Sequence, residues 1–413
     1  MGRINVIHGA LALLTPKLLN NYADVLLWGL STSRPASAYK PGETVLISCD
    51  LAGLPLVETL YAKLVERGLN VVARPNVTAR MELAFYQLAG DSQLSFMAPG
   101  TREFNENLHG AIHILAPSSL THLSSVDPKR ISRTAIARKP YRDILTKREE
   151  AGLFGWTLCI YPTGEYARCA GLSKKEFTDQ IVAACFLRAK DPIAQWRRIF
   201  DNAQEIKNWL NALPVKSYHV ESANVDLTVT PGEQRRFIGL SGHNIPSFEL
   251  FLSPDWRGTQ GVYFADQPSY RSGNLVRGVR LTFRKGRVAE VSAQEGEEFV
   301  KKQVAMDAGS NKIGEFSLTD RRFSKIDRFM ANTLFDENYG GEHGNCHIAL
   351  GSSYSDTFAG DHTALNAARK EELGFNDSAL HWDLVNTEDK RVTAALKGGG
   401  KQVIYENGQF TRP

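Results

Sequence analysis

The chain has 413 residues, 42% apolar and 23% charged, so a fibrous or wholly disordered polymer is excluded and about two globular domains are expected. Lys plus Arg number 49 against 45 Asp plus Glu, and a net charge of +4 on this length implies no nucleic acid or other polyanionic partner. The five cysteines (Cys49, Cys159, Cys169, Cys185, Cys346) are odd in number and carry no CxxC spacing, which excludes a disulfide framework or zinc knuckle and favours a reducing, cytoplasmic compartment.

At the amino terminus His8 and Pro16 bracket the apolar ALALL without a clean cleavage site. No stretch approaches the roughly 20 apolar residues of a membrane span. TVLISCD (44–50) and LNVVARP (69–75) read as strands, and LPLVETLYAKLVERG (54–68) between them has helical periodicity ending at a glycine. That is a βαβ unit, which builds a parallel sheet. GAIHILAP (110–117) adds a buried strand in which His113 reads as a core residue. PKRISRTAIARKPYR (128–142) is the densest basic run, and the acids just after it make a solvated surface segment the expectation.

KKEFTDQIVAACFLRA (174–189) and DPIAQWRRIFDNAQEIKNWLNAL (191–213) read as amphipathic helices, the second with Asp191 as N-cap and Pro192 at its first position. After Pro214 the texture changes. SYHVESANVDLTVTPG, GVRLTFRKGRVAEVSAQEG and KQVIYENGQF alternate apolar with polar residues between glycine-bearing turns. The expected architecture is therefore an N-terminal α/β domain with a parallel sheet, over 1–205, and a β-rich α+β domain over 206–413 carrying a metal site.

Carboxylates and imidazoles at strand ends are the ligands of borderline and hard divalent metals. They recur here in HNIPSFELF with Glu249, in NKIGEFSL with Glu315, in FDENYGGEHGNCHIALGSSY with Glu337, Glu342, His347 and Tyr354, and in LHWDLV with His381 and Asp383. On an extended strand His381 and Asp383 share one face, while Leu380, Trp382 and Leu384 take the other. A hydrogen-bonded pair at a sheet edge and a metal site both satisfy that pattern. Glu249 and Glu315 lie in apolar surroundings, where an ionised carboxylate is costly unless it is paired, solvated at an edge, or bound to a metal. Cys346, next to His347, points to the opposite face and reads as packing; His343 reads as a solvated turn residue.

Taken in order, Asn244-Ile-Pro with Glu249, Gly314-Glu315-Phe, FDEN (335–338) followed by HIALG (347–351) and Tyr354, and His381-Trp-Asp383 resemble the motifs of the thermophilic-type metalloaminopeptidases, the aminopeptidase T/S (M29) family. GWTLCIYPTGEYARCAGLSKKEF (155–177) and the DPI stretch ending at Trp196 extend the resemblance into the first domain. It implies a cytoplasmic exopeptidase that removes N-terminal residues from peptides with a free amino end, using water activated by two divalent ions (Zn, Co or Mn), and that forms a homodimer. Carried onto this chain, the ligands are Glu249, Glu315, His347, His381 and Asp383, with Glu315 bridging and acting in catalysis. Tyr354 stands on a metal or donates to the oxyanion.

With YGGEHGNC inserted before HIALG, the further metal-site glutamate is Glu337 by motif or Glu342 by spacing, and the intact FDEN favours Glu337. Phe248 and Leu250, flanking Glu249, are expected to reshape the pocket for the first side chain. Related proteins include a mononuclear non-haem iron dioxygenase that opens a dihydroxypyridine ring, for which His347, His381 and Asp383 would suffice. That chemistry is the alternative. A structural metal site without catalysis is a third reading, disfavoured because structural zinc sites are closed and cysteine-rich.

Overall fold

The computed structural model describes residues 14–361 and 364–412. Most of the N-terminal ALALL stretch thus lies outside the described residues. Strands Thr44–Cys49, Asn70–Pro75, Gly110–Leu115 and Gly155–Ile160 form one sheet in which every pairing is parallel. The order places Asn70–Pro75 at one edge and Gly155–Ile160 at the other. Helix Leu54–Glu66 is the crossover between the first two strands, and Gly68 ends it at φ +76°, a left-handed conformation that glycine adopts without a Cβ penalty. Ile47, Ile112 and Ile114 point from one sheet face into a core shared with helices Pro16–Thr32 and Lys174–Ala184.

Two expectations are corrected here. The helix foreseen over 174–189 stops at Ala184, because Phe186 adopts φ 55°. The basic run 128–142 is part of a 23-residue helix, Pro128–Glu150, N-capped by Asp127 Oδ1 accepting the Lys129 N–H at 3.1 Å. Ile131 and Thr134 are buried against neighbouring elements, Lys129, Arg133 and Arg138 are exposed, and Arg130 and Arg148 donate to the carbonyls of Tyr86 and Leu108 at 2.7 and 3.1 Å.

Helix Pro192–Ala212 opens as expected, with Asp191 Oδ1 accepting the Ala194 N–H at 2.9 Å. Its Trp196 belongs to the first core, stacked on Phe248 at 5.4 Å, whereas Ala203, Ile206 and Leu210 belong to the second core. The division placed at 205/206 therefore falls inside a helix that serves both halves. Beyond it, an eight-stranded antiparallel sheet runs from the Arg287–Ser292 edge to Gln409–Phe410. It packs on a four-stranded antiparallel sheet, and Tyr263, Leu281, Phe316 and Ile348 from the two fill the second core. Among the described residues, no helix is long and apolar enough to cross a membrane.

Candidate metal centre

The four-stranded sheet is ordered His381–Asn386, Asn345–Gly351, Ile313–Thr319, Glu249–Leu252. Alternation along each strand sends Leu250, Phe316, Ile348 and Trp382 into the second core. Glu249, Glu315, His347 and Asp383 must then share the opposite face. Register draws them together: Ala349 lies between Glu315 and Asp383, and Ser317, one same-face position from Glu315, lies opposite His347. Glu249, Glu315 and His347 are 5%, 3% and 0% exposed, so their charges are removed from water.

His347 Nε2 lies 3.2 Å from Glu249 Oε2, 3.1 Å from Glu315 Oε1 and 4.0 Å from Asp383 Oδ1. His381 Nε2 lies 3.4 Å from Asp383 Oδ1 and 3.8 Å from Glu315 Oε2. Glu315 thus turns one oxygen toward each imidazole. A carbonyl can only accept, so the 2.9 Å contact of His381 Nδ1 with the Ser352 carbonyl fixes the proton on Nδ1 and leaves Nε2 facing the cluster. Ser317 Oγ donates to Glu249 Oε2 at 3.1 Å. The Arg271 guanidinium donates to the His381 carbonyl at 2.8 Å, and its charge attracts Asp383 from behind.

Glu337 follows the short helix Thr333–Asp336 and is 6% exposed. Asn244 Nδ2 donates to its Oε1 at 3.2 Å, and Asn345 Nδ2 holds its backbone carbonyl at 2.9 Å. Glu342, the other candidate, has a side chain 84% exposed that comes within 3.9 Å of His343, while its backbone carbonyl accepts from Arg321 at 2.8 Å. His343 is half-buried beside Glu342 and Asp389, Cys346 packs in the second core, and His113 stays in the first sheet, where burial pushes its imidazole down to about 4. Phe248 and Leu250 do not shape the pocket as expected: Phe248 enters the first core and Leu250 the second, while Ser247, Glu249 and Phe251 face the cavity.

The electrostatics follow from this crowding. Burial, with repulsion from Glu249, pushes the Glu315 carboxyl up to about 7 against the hydrogen bond from His347. Burial and then Glu249 and Asp383 hold Glu337 well above the carboxylate range. Burial alone would lower His347 and His381; the carboxylates around them instead hold His347 well above its ordinary value and raise His381 to about 9. Asp383 is drawn down to about 2 against burial, chiefly by His381. Among the described residues no lysine or arginine pairs with Glu249, Glu315 or Glu337. Oxygen and imidazole donors converging with no lysine or arginine on the three glutamates are a donor set that fits divalent metal; ligand atoms of Glu249, Glu315 and His347 all lie within 4.8 Å of one another.

These groups line a cavity of about 370 Å³ whose far wall comes from the first sheet: Leu115, Trp156 and Leu158. The two halves are hydrogen-bonded there. The Leu158 N–H donates to the His243 carbonyl at 2.7 Å, and Ile245 N–H donates to the Leu158 carbonyl at 2.9 Å, so residues 243–245 extend the edge of the parallel sheet. Tyr354 sits at the rim, 38% exposed, with its ring 4.8 Å from that of His381. Burial of its phenol end, with repulsion from Glu315 and Asp383, holds it protonated well above the ordinary range. Sequence reasoning missed Glu149, His243, Asn332 and Asp356, all in the cavity wall. His243 opens the HNIPSFELF stretch singled out for Glu249 and Asn244 follows it, whereas Glu149 required the 128–150 helix to be seen.

A family model described as thermophilic metalloprotease (M29) matches residues 15–410. Aminopeptidase 2 of Geobacillus stearothermophilus is 28% identical over 396 residues, covering 90% of this chain and 94% of that protein. Aminopeptidase T of Thermus aquaticus is 26% identical over 394 residues, covering 89% and 94%. Wild-type AmpT from Thermus thermophilus superposes with a TM-score of 0.76 at 22% identity, over 96% of this chain and 100% of that one, so the two share a fold. The two curated relatives bear the name aminopeptidase, and neither supports the ring-opening alternative.

Proposed function

This chain belongs to the thermophilic metalloprotease (M29) family and is a peptide hydrolase, and from that premise we propose that it removes N-terminal residues from peptides with a free amino end. The observation that carries the reading is the convergence of Glu249, Glu315, His347, His381 and Asp383 on one buried sheet face at the floor of a cavity.

We assign those five as ligands of two divalent ions, zinc, cobalt or manganese, with Glu337 and Tyr354 beside them. Ions so held supply Lewis acidity and a water acidic enough to ionise near neutrality. Glu315, with one oxygen toward each histidine, would be the carboxylate shared between the two ions. The Ser352 carbonyl keeps the His381 Nε2 lone pair free for ligation. Tyr354 keeps its proton and donates it as a hydrogen bond to the carbonyl oxygen as negative charge builds there. Glu337, with Oε1 held by Asn244, carries a proton on Oε2 toward the departing amine. The acidic wall attracts the substrate's α-ammonium, and the cavity has room for about one residue, which favours cleavage at the first peptide bond.

Two further assignments belong to this reading. The division into 1–205 and 206–413 is part of the proposal, although helix Pro192–Ala212 crosses it and Phe248 and Phe335 pack in the first core, and the free cysteines accord with a cytoplasmic setting. The enzyme is a homodimer; sedimentation giving about twice 45.8 kDa would support it, and a single 45.8 kDa species would remove it. The decisive test of the activity is hydrolysis of aminoacyl-coumarin amides before EDTA, after EDTA, and after adding back single metals. Loss with chelator and recovery with zinc, cobalt or manganese is expected; no release with any metal refutes the assignment.

A further inference from the structure

Opposite the ligand cluster, the cavity ends in a group of side chains to which the reaction described above gives no part. Glu149, from the end of helix Pro128–Glu150, accepts the Trp156 indole N–H at 3.2 and 3.3 Å. His243 stacks at a tilt on Trp156, with ring centroids 4.6 Å apart, and Ser241 Oγ contacts its Nδ1 at 2.6 Å. Its Nε2 comes 2.7 Å from Glu149 Oε1 but off the hydrogen-bond direction, so that donor is left poorly satisfied. Asp356 completes the end. Its Oδ1 is cut off from solvent and has no hydrogen-bond partner.

The charge there is only partly balanced by the protein, through His243 and the more distant Arg236. Two carboxylates face one imidazole, and the nearest guanidinium, that of Arg236, is engaged by the Asp356 backbone carbonyl at 3.2 and 3.3 Å rather than by its carboxylate. A buried carboxylate oxygen without a donor is costly, and it is relieved when a ligand brings one. The cavity wall also carries the aliphatic side chains of Leu115, Leu120 and Leu158. A cavity wall that combines these aliphatic side chains with two carboxylates matches a side chain with a long aliphatic stem and a charged, donor-rich tip. A guanidinium, with five donors in a fixed fork, reaches both carboxylates at once; an ammonium does so less completely.

We propose that this end of the cavity is the subsite for the side chain of the residue being removed, and that Glu149 and Asp356 make it selective for arginine and, second, lysine. The inference rests on the aminopeptidase reading and adds a substrate class to it. Glu149 and Asp356 are specificity residues; Trp156 is a positioning residue that orients the Glu149 carboxylate.

The test compares arginine and citrulline coumarin amides, which differ in charge and scarcely in shape, on the metal-loaded enzyme. The expected kcat/KM ratio is about tenfold or more in favour of arginine, the scale of one charge-assisted hydrogen bond. Glu149→Gln and, separately, Asp356→Asn should each shrink that ratio at least about threefold. A wild-type ratio near one overturns the subsite, and a large ratio that survives both substitutions overturns its placement at these residues. If no coumarin amide of any kind is cleaved, the aminopeptidase reading has failed. The subsite is then judged by calorimetric binding of argininamide against citrullinamide to the wild-type protein, where absence of preference overturns it.

Discussion

Gly314 immediately precedes Glu315, and a methyl group there has nowhere to go. Its Cβ would fall inside the van der Waals envelope of the Gly351 and Ser352 carbonyl oxygens and 2.7 Å from the Ser352 carbonyl carbon. Relief requires the 313–319 strand and the 351–352 turn to part by about 1 Å, since non-bonded carbon atoms settle near 3.5–4.0 Å. Gly→Ala in a compatible conformation stabilises by about 0.4–1 kcal/mol, but overpacking costs about 1–3 kcal/mol, so Gly314→Ala is expected to lose about 1–2 kcal/mol. The functional effect should be larger. Ser352 is the residue whose carbonyl orients His381, and Glu315 sits 3.8 Å from that imidazole, so the same shift opens the cluster at both places. Disturbing an orienting partner of this kind costs about 10–100-fold in metal affinity. Urea denaturation of the EDTA-treated protein reads the first effect, and zinc competition with a chromophoric chelator reads the second. Gly398→Ala, where the added Cβ meets nothing within 4 Å, is the comparator. A Gly314→Ala protein as stable as wild type, binding zinc within about threefold of it, would refute the packing argument.

Glu337→Gln should lower kcat by about 100-fold, within the range of a lost general acid–base group, while exposed Glu342→Gln stays within about twofold; the reverse result would exchange the two residues. Asp336 is buried, with its carboxyl pushed up to about 8, and accepts the N–H groups of Met330 and Asn332 at 2.7 and 2.9 Å. An acid raised in the folded state contributes stability present below its unfolded pKa and lost as pH climbs through about 8. Asp336→Asn, which leaves one of those N–H groups unpaired, should therefore be less stable than wild type at pH 5 and gain on it toward pH 8 in urea titrations; a gap that widens would contradict the sign. Trp196→Ala, which empties a buried stack between Trp28 and Phe248, should cost about 3–5 kcal/mol in denaturant unfolding, and a loss under about 1 kcal/mol would show that the shared helix is not held there.

Local pattern was enough for much of this protein. The βαβ unit is visible in TVLISCD, the helix ending at Gly68, and LNVVARP, because periodicity and a glycine stop are properties of adjacent residues. The period of two likewise put His381 and Asp383 on one face and Trp382 on the other, before any partner strand was known. The helix over 128–150 escaped notice because its charges surround it with little amphipathic signal, and what marks it is the Asp127–Pro128 cap.

What the sequence by itself determined, then, is which side chains can share a strand face and which segments carry metal-binding chemistry, since both depend on spacing along the chain. Only the tertiary structure decided that Glu249, Glu315, His347 and Asp383, scattered over 135 positions from 249 to 383, meet within a few ångströms, that Glu337 lines the cavity while Glu342 is in solvent, and that Glu149 and Trp156 of the first half close its far end. Those outcomes rest on strand register and on the docking of residues 243–245 along the parallel sheet, and both are set by contacts summed over residues far apart in the chain.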